Sequence, residues 1–125
     1  MPELTPIRET RLSLVQRYGE GRFRISGESY TGTVLVTPES VIPIPVETMA
    51  DIDAGSVQSA IGDTVIDILL VGCGGAIPRL DSSFKSAMKA AGISAEPMDT
   101  GAACRTFNVL VTEGRRVAAL LIAID

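Results

Sequence analysis

The sequence contains no histidine and no tryptophan, and aromatic residues make up only 4% of its 125 positions. The absence of histidine excludes catalytic triads, general bases and metal ligands that depend on imidazole. The two cysteines, Cys73 and Cys104, cannot complete a four-ligand zinc site alone. Unless the fold pairs them, they are expected to be thiols in a reducing compartment. We therefore predict no catalytic residue, no metal ion and no cofactor, a pattern that favours a non-enzymatic protein over an enzyme.

Positive charge and long apolar runs are also scarce. Acidic residues outnumber basic ones by 15 to 11, which gives a net charge of −4, and no basic patch is interleaved with aromatics, so nucleic acid is not an expected partner. The longest strongly apolar run, 117–124, is too short to cross a bilayer as a helix. The start of the chain lacks the apolar centre of a secretory signal. We expect a cytoplasmic protein without membrane insertion, with any membrane association peripheral and made through a partner.

Apolar residues are abundant, at 46% of the chain against 21% charged residues, which is enough to build a core. We expect a ragged N-terminal leader over 1–12 and a single α/β domain over 13–125. Phe23 and Ile25 alternate with arginines, and this alternation predicts a β-hairpin with a turn at 26–29 and a second strand over 30–37. Two prolines predict that 41–46 is an edge strand or an extended crossing.

The remaining sequence alternates between helical and strand patterns. Helical spacing of apolar residues predicts helices in 53–63, 80–92 and 99–113, each followed closely by a glycine. Nearly continuous apolar runs predict strands over 65–71 and 116–124 that are covered on both faces, and 93–98 is a short strand between them. The fold class is therefore α/β, a three-layer α/β/α domain around a mixed sheet, with an antiparallel N-terminal hairpin and mostly parallel C-terminal strands.

A glycine-rich turn, Gly72-Cys73-Gly74-Gly75, follows the first buried strand. Such a turn can direct backbone N–H groups at a phosphate, but residues 76–78 separate it from the next helix, unlike a dinucleotide fingerprint. The alternative is a tight connection in which glycine relieves steric conflict. Cys73 lies where α/β sheets place ligands, so a reactive thiol is one hypothesis. The sequence shows no base or resolving cysteine, so a small structural thiol is the alternative.

The helix that follows residue 99 has a second, more polar face. Thr100, Cys104, Asn108 and Thr112 are spaced by four and lie along one side, with Arg105 adjacent. One hypothesis is a pocket for a small anion, built by Arg105 and the helix N-terminus. The other is structural, with Asn108 and Thr112 tying the helix to neighbouring loop backbone, because buried polar groups must be paired.

The connector after this helix, "EGRR", carries Arg115 and Arg116. It is either a charged helix terminus, where cations are favoured, or an exposed basic spot for a partner. We take as candidate binding residues Gly72, Cys73, Gly74, Thr100, Arg105, Asn108 and Arg115.

Three stretches, "FRISGESYTGTVLV", "DILLVGCGG" and "MDTGAACRTFNVLVTEGRRVAALLI", resemble a family long catalogued only as a domain of unknown function. Its members include the mitochondrial third assembly factor of respiratory complex I and an adipogenesis-associated protein. The resemblance covers about residues 22–124. It implies an α/β/α fold with a mixed sheet, an assembly or chaperone-like role for the mitochondrial member, and no established reaction. The matching positions are Gly72, Gly74, Asp99, Thr100, Arg105, Thr106, Asn108, Glu113, Arg115 and Arg116.

The chain departs from this family pattern in two places. Many relatives are similar to Gly-Thr-Gly where this chain has Gly-Cys-Gly, which weakens a catalytic role for Cys73. Relatives often have a tryptophan after the strand at 41–46, and this chain has none. That difference puts an aromatic binding surface at that edge in doubt.

The leading hypothesis is thus a non-enzymatic interaction or assembly-factor-like protein with an unknown protein partner, aiding assembly of a respiratory or membrane-associated complex. The alternative is a protein that binds a small anion or ligand, with weak enzymatic activity as a variant, in the cleft formed by 72–75 and the helix from Thr100. A redox role for Cys73 is a third. The first two hypotheses require Gly74 and Thr100 to meet at one rim of the sheet.

Overall fold

In the computed structural model, which describes residues 12–75 and 77–124, eight strands and three α-helices are present. The strands are β1 (Val15–Gly19), β2 (Arg22–Ile25), β3 (Glu28–Thr31), β4 (Val34–Val36), β5 (Val41–Pro43), β6 (Ile68–Gly72), β7 (Ser94–Met98) and β8 (Val117–Leu121). The helices are α1 (Ala54–Ile61), α2 (Ser82–Ala90) and α3 (Thr100–Thr112), and a short 3₁₀ helix covers Met49–Asp51. Most of the predicted leader lies outside the described residues, so the domain boundary at residue 12 stays a prediction.

The strands form two sheets. The first is antiparallel, in the order β1-β2-β3. The second has five strands in the order β5-β4-β8-β6-β7. The pairs β5–β4 and β4–β8 are antiparallel, and the pairs β8–β6 and β6–β7 are parallel. The predicted mixed sheet with an antiparallel N-terminal part and parallel C-terminal strands is confirmed.

Helices cover both faces of the five-stranded sheet, which explains why its central strands are apolar at every position. Leu69, Val71 and Leu120 point to the face that carries α1 and α2, where Phe84 and Met88 pack. The opposite face carries α3 and the three-stranded sheet. Its buried residues include Phe23, Ile25, Leu70, Ala103, Phe107, Val111 and Leu121. This arrangement confirms the three-layer α/β/α class, with the small sheet adding to the α3 side.

The N-terminal hairpin is confirmed, but its boundaries differ from the prediction. Its turn needs only Ser26 and Gly27, both with positive φ, so β3 already begins at Glu28. The strand predicted over 30–37 is wrong, because the chain divides it between two sheets. Gly32, with φ +87°, stands at the division, and this left-handed backbone ends one ladder before the next begins.

One strand and one further boundary were missed. Strand β1 was not predicted, since its alternation is short and its exposed residues are mostly polar. The strand predicted from residue 65 begins only at Ile68, and the Val65 side chain is 65% exposed. An apolar run alone does not show where the covering helices stop.

No helix in the described part of the chain is long and apolar enough to cross a membrane.

Strand β5 forms one edge of the five-stranded sheet, as its prolines predicted. The N–H of Ile44 donates to the Thr33 carbonyl and that of Thr37 to the Ser40 carbonyl. Because bonded and non-bonded residues alternate in an antiparallel ladder, Pro43 falls at a position that faces away from β4. The missing donor of proline is thus at the open edge, where it costs no ladder hydrogen bond.

Strand β7 forms the other edge. The N–H of Ser94 donates to the Asp67 carbonyl, and the Met98 carbonyl accepts from the N–H of Cys73. In a parallel ladder every second residue bonds to the same neighbour, so Ala95 and Pro97 face outward. The open edge of β7 therefore offers one N–H group, from Ala95, and the carbonyls of Ala95 and Pro97.

Candidate functional site

The glycine-rich turn after β6 is tied to the first residue of α3. The N–H of Gly74 donates to Thr100 Oγ1 at 2.9 Å, and the N–H of Thr100 donates to the Gly74 carbonyl at 3.2 Å. Thr100 Oγ1 in turn donates to the Ile122 carbonyl at 2.8 Å. The required meeting of Gly74 and Thr100 at one rim is confirmed. Because Thr100 is fully buried and its one O–H is engaged, it presents no free group to a ligand.

The topology explains why this rim forms. From β6 the chain runs through α2 to β7 on one side, and α3 then leads to β8 on the other side of β6. The two helices lie on opposite faces of the sheet. The chain thus leaves β6 and β7 towards opposite faces of the sheet. Such a change of direction opens a crevice at the carboxyl ends of these two strands, where α/β proteins place their sites.

A groove of about 390 Å³ lies beside the glycine turn, at the carboxyl ends of β6 and β8. Its lining includes Met49, the glycine turn and Ile122, and Ile77 stands at its side with 82% of its surface exposed. Glu47 and Arg79 supply the charges. We call this the rim groove. Its surface is mostly apolar with one charge of each sign, which suits contact with protein better than capture of a small anion.

The two thiols are free and buried. Cys73 is 6% exposed, and its Sγ lies 3.5 Å from the Val71 carbonyl and 3.9 Å from the Arg79 carbonyl. Cys104 is packed against the sheet under α3, and burial raises the pKa of its thiol to about 12, with Arg105 lowering it and Asp99 raising it to smaller extents. Since the thiolate is the reactive form, Cys104 is built as a core residue. Among the described residues, the polar contacts of the Cys73 thiol are two backbone carbonyls, neither of which is a redox partner.

The raised pKa of Cys104 predicts a loss of stability in alkali. The unfolded chain releases the thiol proton above pH 9.0, whereas the folded protein holds it to about pH 12. Stability is therefore complete below pH 9 and falls as the pH rises towards 12, by at most about 1.4 kcal/mol per pH unit. Urea unfolding of the wild type and Cys104→Ala at several pH values measures this, because only the wild type should show the additional slope. Equal slopes would contradict it.

The outer face of α3 holds strand β1. Asn108 Oδ1 accepts from the N–H of Val15 and its Nδ2 donates to the Val15 carbonyl, both at 2.8 Å. Arg105 Nη1 donates to Tyr18 Oη at 3.0 Å. A Cβ on Gly101 would lie only 2.8 Å from that hydroxyl oxygen, so glycine lets the tyrosine cross the helix here. The geometry follows the structural alternative for Asn108, although the partner is a strand and not a loop.

The other predicted residues are divided between the two ends of α3. Gly72, Cys73 and Gly74 lie at the rim with Thr100. Arg115 follows the far end of α3, about 20 Å away at 1.5 Å per residue, and is exposed. Its neighbour Arg116 pairs with Asp67 at 2.9 Å between Nε and Oδ2. The structure thus gathers the turn and the helix start but leaves Arg115 apart, and the binding roles of all seven residues stay predictions.

Sequence reasoning missed the apolar residues of the rim groove, Met49, Ile77 and Ile122. Met49 and Ile77 lie in segments whose sequence shows neither helical nor strand periodicity. One signal was present, since Ile77 stands between a glycine-rich turn and a proline, where an aliphatic residue has no strand or helix to pack in.

Comparison with known proteins places the chain among relatives. A family model described as proteins of unknown function (DUF498/DUF598) matches residues 15–122. An uncharacterised protein of Rhodobacter capsulatus is 38% identical over 108 residues, which cover 86% of this chain and 82% of that protein. The NADH dehydrogenase [ubiquinone] 1 alpha subcomplex assembly factor 3 of Xenopus tropicalis is 35% identical over 109 residues, or 86% of this chain, and the match spans 60% of that longer protein.

The fold is also found among solved structures. A crystal structure of a Bordetella parapertussis protein superposes with a TM-score of 0.83 at 36% identity, covering 91% of this chain and 98% of that one. The family match, the sequence identities and the shared fold agree over nearly the same residues. The chain therefore belongs to the DUF498/DUF598 family of proteins of unknown function.

Proposed function

We propose that this protein is assembly-factor-like and binds a partner protein through the rim groove, in support of the assembly of NADH dehydrogenase or another membrane-associated respiratory complex. The relatives named as NADH dehydrogenase assembly factors support the role. The observation that carries the surface is Ile77, an aliphatic side chain left 82% exposed beside an apolar groove. The cytoplasmic location belongs to the same proposal.

Several features suit the rim groove to a protein partner. Met49, Ile77 and Ile122 offer apolar area, and burying it on association is favourable. Glu47 and Arg79 border that area and would fix orientation and exclude mismatched partners. The hydrogen bonds of Thr100 hold the floor of the groove, so little conformational freedom is lost on binding.

The small-anion alternative gains no support from the same residues. The Thr100 hydroxyl is bonded to protein, both amide atoms of Asn108 hold β1, and Arg105 donates to Tyr18. The Thr100 hydroxyl and the Asn108 amide thus already have protein partners, and the guanidinium of Arg105 is held against Tyr18.

Deletion of the gene in its native host tests the role, and two substitutions test the surface. We expect the deletion strain to lose most of its fully assembled NADH dehydrogenase, measured by native gel and NADH oxidation in membranes. Wild-type protein and Val65→Asp should restore it, whereas Ile77→Asp should not. Val65 is the matched control because it is also an exposed aliphatic residue, at the opposite end of β6.

The free energy of unfolding of both variants is expected to lie within about 0.5 kcal/mol of the wild-type value, because substitutions of exposed residues usually change it little. Full restoration by Ile77→Asp would remove the rim groove from the proposal. An unchanged amount of assembled NADH dehydrogenase, and of the other respiratory complexes, in the deletion strain would remove the assembly role itself.

A further inference from the structure

A second groove lies along the open edge of β7. It has a volume of about 540 Å³ and is lined by Lys85 and Lys89 from α2, by Ala95 and Glu96 from β7, by residues between these elements, and by Asp67, which precedes β6. The Asp67 carboxylate is already paired with Arg116, whereas the two lysines stand free of any described ion pair. It shares no lining residue with the rim groove. The two lysines, one helical turn apart, are the only lysines in the whole sequence.

The outer edge of β7, beside this groove, pairs with no strand in the described part of the chain. Ala95 directs its N–H and carbonyl outward, and Pro97 directs its carbonyl outward, whereas Ser94 bonds to β6. An extended segment laid beside β7 could therefore accept one hydrogen bond and donate two. This is the mode by which a peptide adds a strand to a sheet edge.

The charges decide what kind of segment fits. Lys85 and Lys89 are exposed, and neither forms an ion pair with any residue that the structure describes. The side chain of Ala95 lies on the α2 face, so alternate side chains of an added strand would stand on the same face, beside the two ammonium groups. Acidic side chains at those positions would be attracted.

A second copy of this chain fits the edge less well. Antiparallel pairing of two β7 strands about a two-fold axis would place both α2 helices on the same face of the joined sheet. The lysines of the two copies would then face one another across the junction, and like charges on an edge oppose such pairing.

We infer that the β7 edge binds an extended acidic segment of a partner protein, which joins the sheet beside β7 with its carboxylates next to Lys85 and Lys89. This goes beyond the proposed function, because it assigns a second surface and the chemistry of its ligand without reference to the rim groove.

Titration of the ¹⁵N-labelled protein with two capped octapeptides, one alternating valine with glutamate and one alternating valine with lysine, tests the inference by NMR. We expect the acidic peptide to shift the amide of Ala95 and those of Lys85 and Lys89 saturably, with an affinity that falls several-fold from 50 to 500 mM salt. The basic peptide should leave them unchanged.

Charge variants separate this groove from general attraction. The double variant Lys85→Glu/Lys89→Glu should bind the acidic peptide at least about tenfold more weakly. Arg22→Glu/Arg24→Glu, with the same change in net charge on the exposed side of β2, should bind within about twofold of the wild type. Should the first variant not fold, acetylation of the folded wild type neutralises only these two side chains and the chain's amino terminus.

Three results would overturn the inference. One is the absence of saturable shifts at β7 with the acidic peptide. Another is an equal response to both peptides. The third is binding that survives both the lysine variant and acetylation. None of these results bears on the rim groove, which is tested by Ile77→Asp.

Discussion

Alanine at Gly72 is expected to lower the free energy of unfolding by about 2–3 kcal/mol, because the new methyl group has no room. A Cβ at this position would lie 2.9 Å from Thr100 Cα, 3.1 Å from Thr100 Oγ1 and 3.2 Å from Ala103 Cβ. The closest of these atoms belongs to the helix backbone, which a side-chain rotation cannot move. The start of α3 would have to shift away from the end of β6, straining the hydrogen bonds between Gly74 and Thr100. Equilibrium unfolding in urea measures the loss.

Gly75→Ala is the matched control for this prediction. Gly75 has no neighbour within 4 Å of a built Cβ and no positive φ, so its substitution should change stability by less than about 0.5 kcal/mol. An equal loss at both positions would show that the turn needs glycine for flexibility. An unchanged Gly72→Ala would show that α3 and β6 are not held at this distance.

Asn108→Ala is expected to cost about 2–3 kcal/mol, since it removes two hydrogen bonds and leaves both backbone groups of Val15 unpaired. No described strand lies beside β1 on that side, and the Asn108 amide acts as its pairing partner there. The three-stranded sheet carries Phe23 and Ile25, each 1% exposed, into the shared core. Loosening of β1 should therefore lower global stability and also speed hydrogen exchange at the Val15 amide.

Two further variants make this prediction specific. Thr112→Ala, one turn along the same line of α3 but exposed, should stay within about 0.5 kcal/mol of the wild type. Asn108→Asp should be as damaging as alanine at neutral pH, because a carboxylate oxygen would then face the Val15 carbonyl. It should recover part of the loss in acid, where the protonated carboxyl again provides a donor. Equal stability of Asn108→Ala and wild type would refute the pairing role.

The comparison of sequence and structure shows where periodicity informs and where it does not. The helix from Thr100 could be placed because its apolar residues recur at helical spacing and Asp99 precedes them, and the Asp99 carboxylate does accept from the N–H of Ala102. The buried strands β6 and β8 could be predicted from composition alone. What one sequence did not contain was the partner of each polar side chain, because a period gives the face of a helix and not what lies opposite.

Asn108 illustrates this limit. Its spacing from Thr100 suggested a common polar face, yet Thr100 points into the end of the sheet while Asn108 meets β1. The strand that decides the role of Asn108 is 93 positions earlier in the chain, and its own pattern was too short to predict. The edge prolines were informative for the opposite reason, since a missing N–H restricts a residue wherever its neighbours lie.

The position of β8 has a consequence for how the chain is made. Among the strands that the structure describes, this one comes last in sequence, yet it lies between β4 and β6 and joins the two halves of the five-stranded sheet. As the polypeptide leaves the ribosome, β4–β5 and β6–β7 must wait as separate pieces with apolar edges uncovered until residues 117–121 emerge. The five-stranded sheet therefore cannot close before residues 117–121 have been made, and the edges of β4 and β6 stay uncovered until then.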